Sequence, residues 1–153
     1  MRTLLVEDNF NKRKSISEFY AREFPKDELF SEDSLIGGLR HARDSHPNLI
    51  LLDMSLPYHS SGKQGAGTAD MRAFAGKEFL RRVRRMRFDT KVLVVSMFET
   101  FGLAPNITTL TDLDAEMKDK YPQLYFGAVH FSPTDENWQE SIREFRLSME
   151  GEL

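Results

Sequence analysis

The chain has 153 residues, enough for one domain with a substantial core, and its 40% apolar and 29% charged content is that of an ordinary globular protein. A net charge of -3, from 21 basic and 24 acidic side chains, calls for neither nucleic acid nor an anionic membrane as partner. Cysteine is absent, which excludes disulfides, thiol nucleophiles and cysteine-ligated metals. No stretch is long and apolar enough for a signal peptide or a membrane span, so the expected setting is the cytoplasm.

Thr3-Leu4-Leu5-Val6 reads as a first strand that ends in acid, Glu7-Asp8. Asn9 is placed to cap the next helix, whose apolar positions Ile16, Phe19 and Tyr20 run until Pro25. Leu29-Phe30 is a short strand candidate, and Ser34 opens a helix with Leu35, Ile36, Leu39 and Ala42 on one face. His46-Pro47 closes that helix, because a residue before proline leaves the helical region. Asn48-Leu49-Ile50-Leu51-Leu52-Asp53 is an apolar run that stops at a carboxylate, the pattern of a strand covered on both faces. Met54-Ser55-Leu56-Pro57 is a turn, and residues 58–75, rich in Gly, Ser, Ala and His, read as an inserted loop. Order resumes at Gly76, with Phe79, Leu80, Val83 and Met86 forming a stripe opposite Arg81, Arg82, Arg84, Arg85 and Arg87. Those arginines lack interleaved aromatics and read as a solvated face rather than a nucleic-acid surface.

Lys91 to Ser96 is a fourth strand, ending in a hydroxyl, and 97–110 is a second inserted loop carrying Phe98, Phe101, Leu103 and Ile107. These four either pack back on the domain or meet a partner. Thr111 or Asp112 caps a helix with Leu113 and Met117, ended by Pro122. A last strand includes Val129-His130-Phe131, with Phe131 facing the core and His130 outward. The final helix starts near residues 134–136 and buries Trp138, Ile142, Phe145 and Met149. Strand and helix alternate five times, which predicts one α/β domain over 1–153. Its architecture is a doubly wound, five-stranded parallel sheet in three α/β/α layers, of flavodoxin-like type. Ligands then bind at the C-terminal strand edge where the strand order reverses. Glu7, Asp8, Asp53 and Ser96 all arrive at that edge. Clustered carboxylates need a proton or a cation, and oxygen ligands without Cys or paired His favour a hard ion such as Mg²⁺. His41, His46 and His59 have no zinc spacing.

Val6-Glu7-Asp8-Asn9, Leu51-Leu52-Asp53-Met54-Ser55-Leu56-Pro57, Val94-Val95-Ser96, Gly76 with Glu78-Phe79-Leu80, and Gly127-Ala128 together resemble the receiver domain of two-component response regulators. The resemblance implies that Asp53 accepts a phosphoryl group in a phosphorelay. It implies that Asp8, Asp53 and the Ser55 backbone carbonyl hold Mg²⁺ with Glu7 assisting, and that Ser96 hydrogen-bonds to the phosphoryl group. A histidine kinase or phosphotransfer protein would be the donor and a downstream protein or domain the target. Pairing of two copies would use the face of the fourth helix, fifth strand and fifth helix. Such a protein acts on no separate substrate. The family places a lysine before a proline after the last strand, and here Ser132-Pro133 stands there. No neighbouring residue in the sequence restores that cation. Ser132 and the inserted loops motivate a second reading, a degenerate, unphosphorylated receiver used for protein interaction, and the acidic strand ends permit a third, a small Mg²⁺-dependent phosphohydrolase.

Overall fold

A computed structural model describes residues 1–59, 69–102 and 104–151, without the side chains of 69–74. The elements in chain order are β1 (Arg2–Val6), α1 (Phe10–Glu23), β2 (Glu28–Glu32), α2 (Leu35–Ser45), β3 (Leu49–Leu52) and α3 (Ala69–Met86). They continue with β4 (Lys91–Ser96), β5 (Thr100–Phe101), β6 (Thr108–Thr109), α4 (Leu110–Lys120), β7 (Tyr125–His130) and α5 (Asn137–Glu150). Five strands form one parallel sheet in the order β2-β1-β3-β4-β7. The order reverses between β1 and β3, so the acidic ends of these two strands lie side by side. Among the described residues no helix is long and apolar enough to cross a membrane.

Residue parity explains the apolar runs. Leu4, Val6, Ile50, Leu52, Val92 and Val94 enter a core shared with α2, α3 and α4. Leu5, Leu49, Leu51, Leu93 and Val95 enter a second core with Ile16 and Phe19 of α1 and Trp138 and Ile142 of α5. Successive strand residues point to opposite faces, and here both faces are covered, so every position is apolar.

Local capping follows the sequence closely in the first half. The Asn9 side chain accepts the Lys12 N–H and that of Ser34 accepts the Gly37 N–H. His46 does leave the helical region, in a left-handed conformation with φ 46° and ψ 63°. Three expectations are corrected. Helix α3 begins at Ala69, so the first insertion is shorter than 58–75; residues 60–68 lie outside the described residues. The second insertion is not a plain loop, because β5 and β6 pair as a small antiparallel hairpin. The cap of α4 is Thr109, which accepts from the Asp112 N–H, rather than Thr111 or Asp112. Within that insertion Phe101 packs back into the core, whereas Phe98 and Ile107 are exposed; Leu103 lies outside the described residues.

A buried ionic knot ties α5 to the opposite, N-terminal edge of the sheet. Arg146 donates Nε and Nη2 to the two carboxylate oxygens of Asp27 at 2.8 and 2.9 Å. Asp27 also accepts from the Tyr20 hydroxyl at 2.6 Å and from the Met1 ammonium at 3.1 Å. Burial alone would raise the Asp27 pKa; the bonds from Arg146, Tyr20 and the ammonium win and hold it at about 2.

Candidate functional site

The site is built from the ends of β1 and β3. Glu7 and Asp8 follow β1, and Asp53 follows β3, anchored where its N–H donates to the Val6 carbonyl at 3.0 Å. Carboxylate oxygens of Glu7, Asp8 and Asp53 lie within 4.8 Å of one another. Glu7 is 1% and Asp53 5% exposed, while Asp8 is half-buried. The fold thus brings these three carboxylates together. Ser55 is buried and lines the same cleft, a space of about 70 Å³ that Asn9, Lys12, Met97 and Phe98 complete.

The cluster resists having all its charges at once. Burial, and next the nearby Asp53 carboxylate, push the Glu7 pKa up to about 7, against the pull of Lys12 and of the Asn9 N–H. The Oδ1 atom of Asp53 is buried and has no hydrogen-bond partner among the described residues. Oxygen donors crowded together, one of them unsatisfied, fit a hard divalent cation.

Lys12 is the residue that sequence reasoning missed. It is buried, with its ammonium 2.7 Å from Glu7 Oε2 and 3.5 Å from Asp53 Oδ1. It donates to the Val95 carbonyl at 2.7 Å and stands 5.9 Å from the centre of the Phe131 ring. No sequence neighbour of Ser132 supplies a cation, but α1 delivers one to the cluster from across the domain. A signal was present. Lys12 occupies the same stripe as Ile16, Phe19 and Tyr20, where a helix buries its side chains. A lysine there needs a buried acidic partner.

The remaining candidates lie differently. Ser96 is fully buried, and its hydroxyl both donates to the Phe98 carbonyl and accepts the Phe98 N–H, each at 3.0 Å. It sits at the end of β4 but does not line the cleft. The Ser132 hydroxyl is engaged with the Thr134 hydroxyl at 2.9 Å and the Thr134 N–H at 3.2 Å. It faces a separate depression with Ser15, Glu18 and Trp138. Phe131 is core and His130 exposed, as its strand parity predicts. The arginine-rich face is largely paired or stacked: Arg81 and Arg82 bind Glu78, and Arg84 lies over Tyr121. A larger depression of about 630 Å³, containing Arg84, Arg87, Tyr121 and Leu124, lies at the far end of β4.

An open parallel sheet in this strand order, with an acidic cluster at its switch point, has the fold of response regulator receiver domains. A CheY-like response regulator receiver domain from Methanospirillum hungatei shares it with a TM-score of 0.62 at 19% identity, covering 99% of this chain and 98% of that one. The Detocs response regulatory protein DtcB of Enterobacter cloacae is 23% identical over 143 residues, 93% of this chain and 95% of DtcB. No protein-family model matches. At 49% identity over 150 residues, spanning 98% of this chain and 99% of its relative, the chain belongs to one family with the uncharacterized protein y4jR of Sinorhizobium fredii.

Proposed function

We infer that the chain is a phosphorelay receiver that takes a phosphoryl group onto Asp53 and thereby controls a partner. The observation that carries this reading is Asp53 itself: a buried carboxylate at the switch point, with Glu7 and Asp8 beside it and one oxygen left without a hydrogen bond. Such an oxygen is available as a nucleophile. The name of DtcB, a response regulatory protein, supports the same class.

Each residue has a physical task. Asp53 offers an oxygen for in-line attack on phosphorus. Asp8, Asp53 and the Ser55 carbonyl would hold Mg²⁺, and Glu7 would act on the water around it. When bound, the ion would neutralise charge on the phosphoryl oxygens. The donor is a phosphohistidine of a kinase or phosphotransfer protein, and the target is a downstream protein or domain. A cleft of about 70 Å³ admits an ion and a phosphoryl group but is far below the roughly 300 Å³ at which organic-ligand pockets begin. That favours transfer to the protein over hydrolysis of a small organic phosphate. The interaction-only reading rests on Ser132 and the inserted loops, and a cation supplied by Lys12 weakens the first of these grounds.

The test is incubation with Mg²⁺ and phosphoramidate, followed by intact-mass measurement. Wild type gains one phosphoryl group and Asp53→Asn none. An unlabelled wild type, also with kinases supplied, refutes the reading and leaves the interaction module.

A further inference from the structure

We propose that Lys12, projecting from α1, is the residue that binds the phosphoryl group at Asp53, in place of a lysine after the last strand. The proposal rests on the receiver reading above. Its ground is the way this ammonium is held. An ammonium has three N–H donors. One is used on the Val95 carbonyl and one on Glu7 Oε2, both at 2.7 Å. The next acceptor is Asp53 Oδ1 at 3.5 Å, beyond hydrogen-bond length, and that oxygen has no other partner. A donor and an acceptor, both buried and both incompletely satisfied, thus face one another at the reacting atom. An oxygen of a phosphoryl group on Asp53 would give the third N–H its acceptor.

Charge accounting points the same way. Attack by the Asp53 carboxylate forms an O–P bond as the N–P bond of the donor breaks. The electron pair leaves with the donor nitrogen, which departs protonated. A site that held a carboxylate of charge -1 then holds an acyl phosphate of charge about -2. The fixed ammonium gains attraction as this charge develops, which is what accelerates a reaction rather than merely tightening binding. Its preorganisation is visible: the Val95 carbonyl in β4 and the Glu7 carboxylate after β1 fix the nitrogen from two sides, and the centre of the Phe131 ring lies 5.9 Å from it. Ser132, by contrast, spends its hydroxyl on Thr134.

A purely structural Lys12 would instead serve to keep Glu7 charged, and the two roles separate in one experiment. Phosphoramidate labelling at fixed Mg²⁺ is followed by intact mass for wild type, Lys12→Met, Lys12→Gln and Asp53→Asn. Mg²⁺ alone is titrated against each, with the fluorescence of Trp138, whose ring lies 4.9 Å from that of Phe131, and calorimetry as readouts. The expected result is labelling slowed about a hundredfold in both Lys12 variants, the size of losing one preorganised donor, with Mg²⁺ bound no more weakly than by wild type. Lys12→Gln, one atom shorter, removes the charge but keeps two N–H donors, and supplies the comparison if the methionine variant does not fold. Ser132→Lys in the wild-type background is expected to speed labelling less than threefold, because the cation is already supplied. Labelling of either folded Lys12 variant within threefold of wild type overturns the proposal while the receiver reading stands. Loss of Mg²⁺ binding along with labelling overturns it too, assigning Lys12 to the architecture of the cluster. A tenfold acceleration by Ser132→Lys does the same. An unlabelled wild type overturns both.

Discussion

Gly76→Ala sets two effects of opposite sign against each other. Gly76 lies inside α3, and replacing an interior helical glycine by alanine ordinarily adds roughly 0.8–1 kcal/mol of stability. Here the new Cβ would lie 2.7 Å from the Met54 Cα, and 2.5 and 2.8 Å from its Sδ and Cε. The methionine side chain is flexible, but it is fully buried, and the Cα is fixed by the chain it belongs to. Relief requires α3 to move away from the segment 53–55 and to lengthen the Gly76 N–H bond to the Met54 carbonyl, now 3.1 Å. Overpacking of this kind costs about 1–3 kcal/mol, and contact with a backbone atom puts it in the upper half of that range. The clash outweighs propensity, and the net expectation is a loss of about 1–2 kcal/mol, a midpoint lower by roughly 2–8 °C for a domain of this size. Because Asp53 and the Ser55 carbonyl flank Met54, Mg²⁺ affinity should fall as well. Urea unfolding with and without Mg²⁺ measures both. A variant as stable as wild type, or more so, would show that α3 has slack and that its approach to the acidic turn does not position the site.

Mg²⁺ at a hundredfold excess over its dissociation constant should stabilise wild type by about 2.7 kcal/mol. Differential scanning calorimetry should see that rise disappear in Asp53→Asn and Asp8→Asn. Asp27→Ala strands the buried Arg146, so chemical denaturation should register a loss of about 3–5 kcal/mol, with Asp27→Ala/Arg146→Met recovering part of it; an equally unstable double variant would contradict the account. The folded-state pKa of Asp27, about 2, lies below its ordinary 3.8, so its contribution is complete above about pH 4 and is lost as pH falls toward 2. That shift corresponds to roughly 2 kcal/mol, and Asp27→Asn should flatten the stability curve across that window. Thr90 carries a buried hydroxyl without a partner among the described residues, so Thr90→Val should gain about 1 kcal/mol in the same unfolding assay.

The sequence by itself determined the sheet and the acidic corner. Four apolar residues ending at Asp53 and a shorter run ending at Glu7 specify strands buried on both faces, because an exposed face would demand alternation. Strand-to-helix alternation then fixes parallel pairing, and parallel pairing puts the strand ends on one edge. The caps of α1 and α2 were equally legible, since Asn9 and Ser34 act on N–H groups three residues away. The insertions were not. Gly- and Ser-rich composition concealed the start of α3, and the β5–β6 pairing depends on closing residues 101 and 108 onto each other rather than on any local pattern. What only the tertiary structure decided is the cation. Lys12 is 83 residues from the carbonyl that holds it and 41 from Asp53, and reaches both because α1 crosses the face on which Leu5, Leu51 and Val95 point. Linear reading sought a charge beside Ser132, where the chain could supply none. Packing brought it from another helix, since a buried ammonium is stable only where carboxylates from other elements converge.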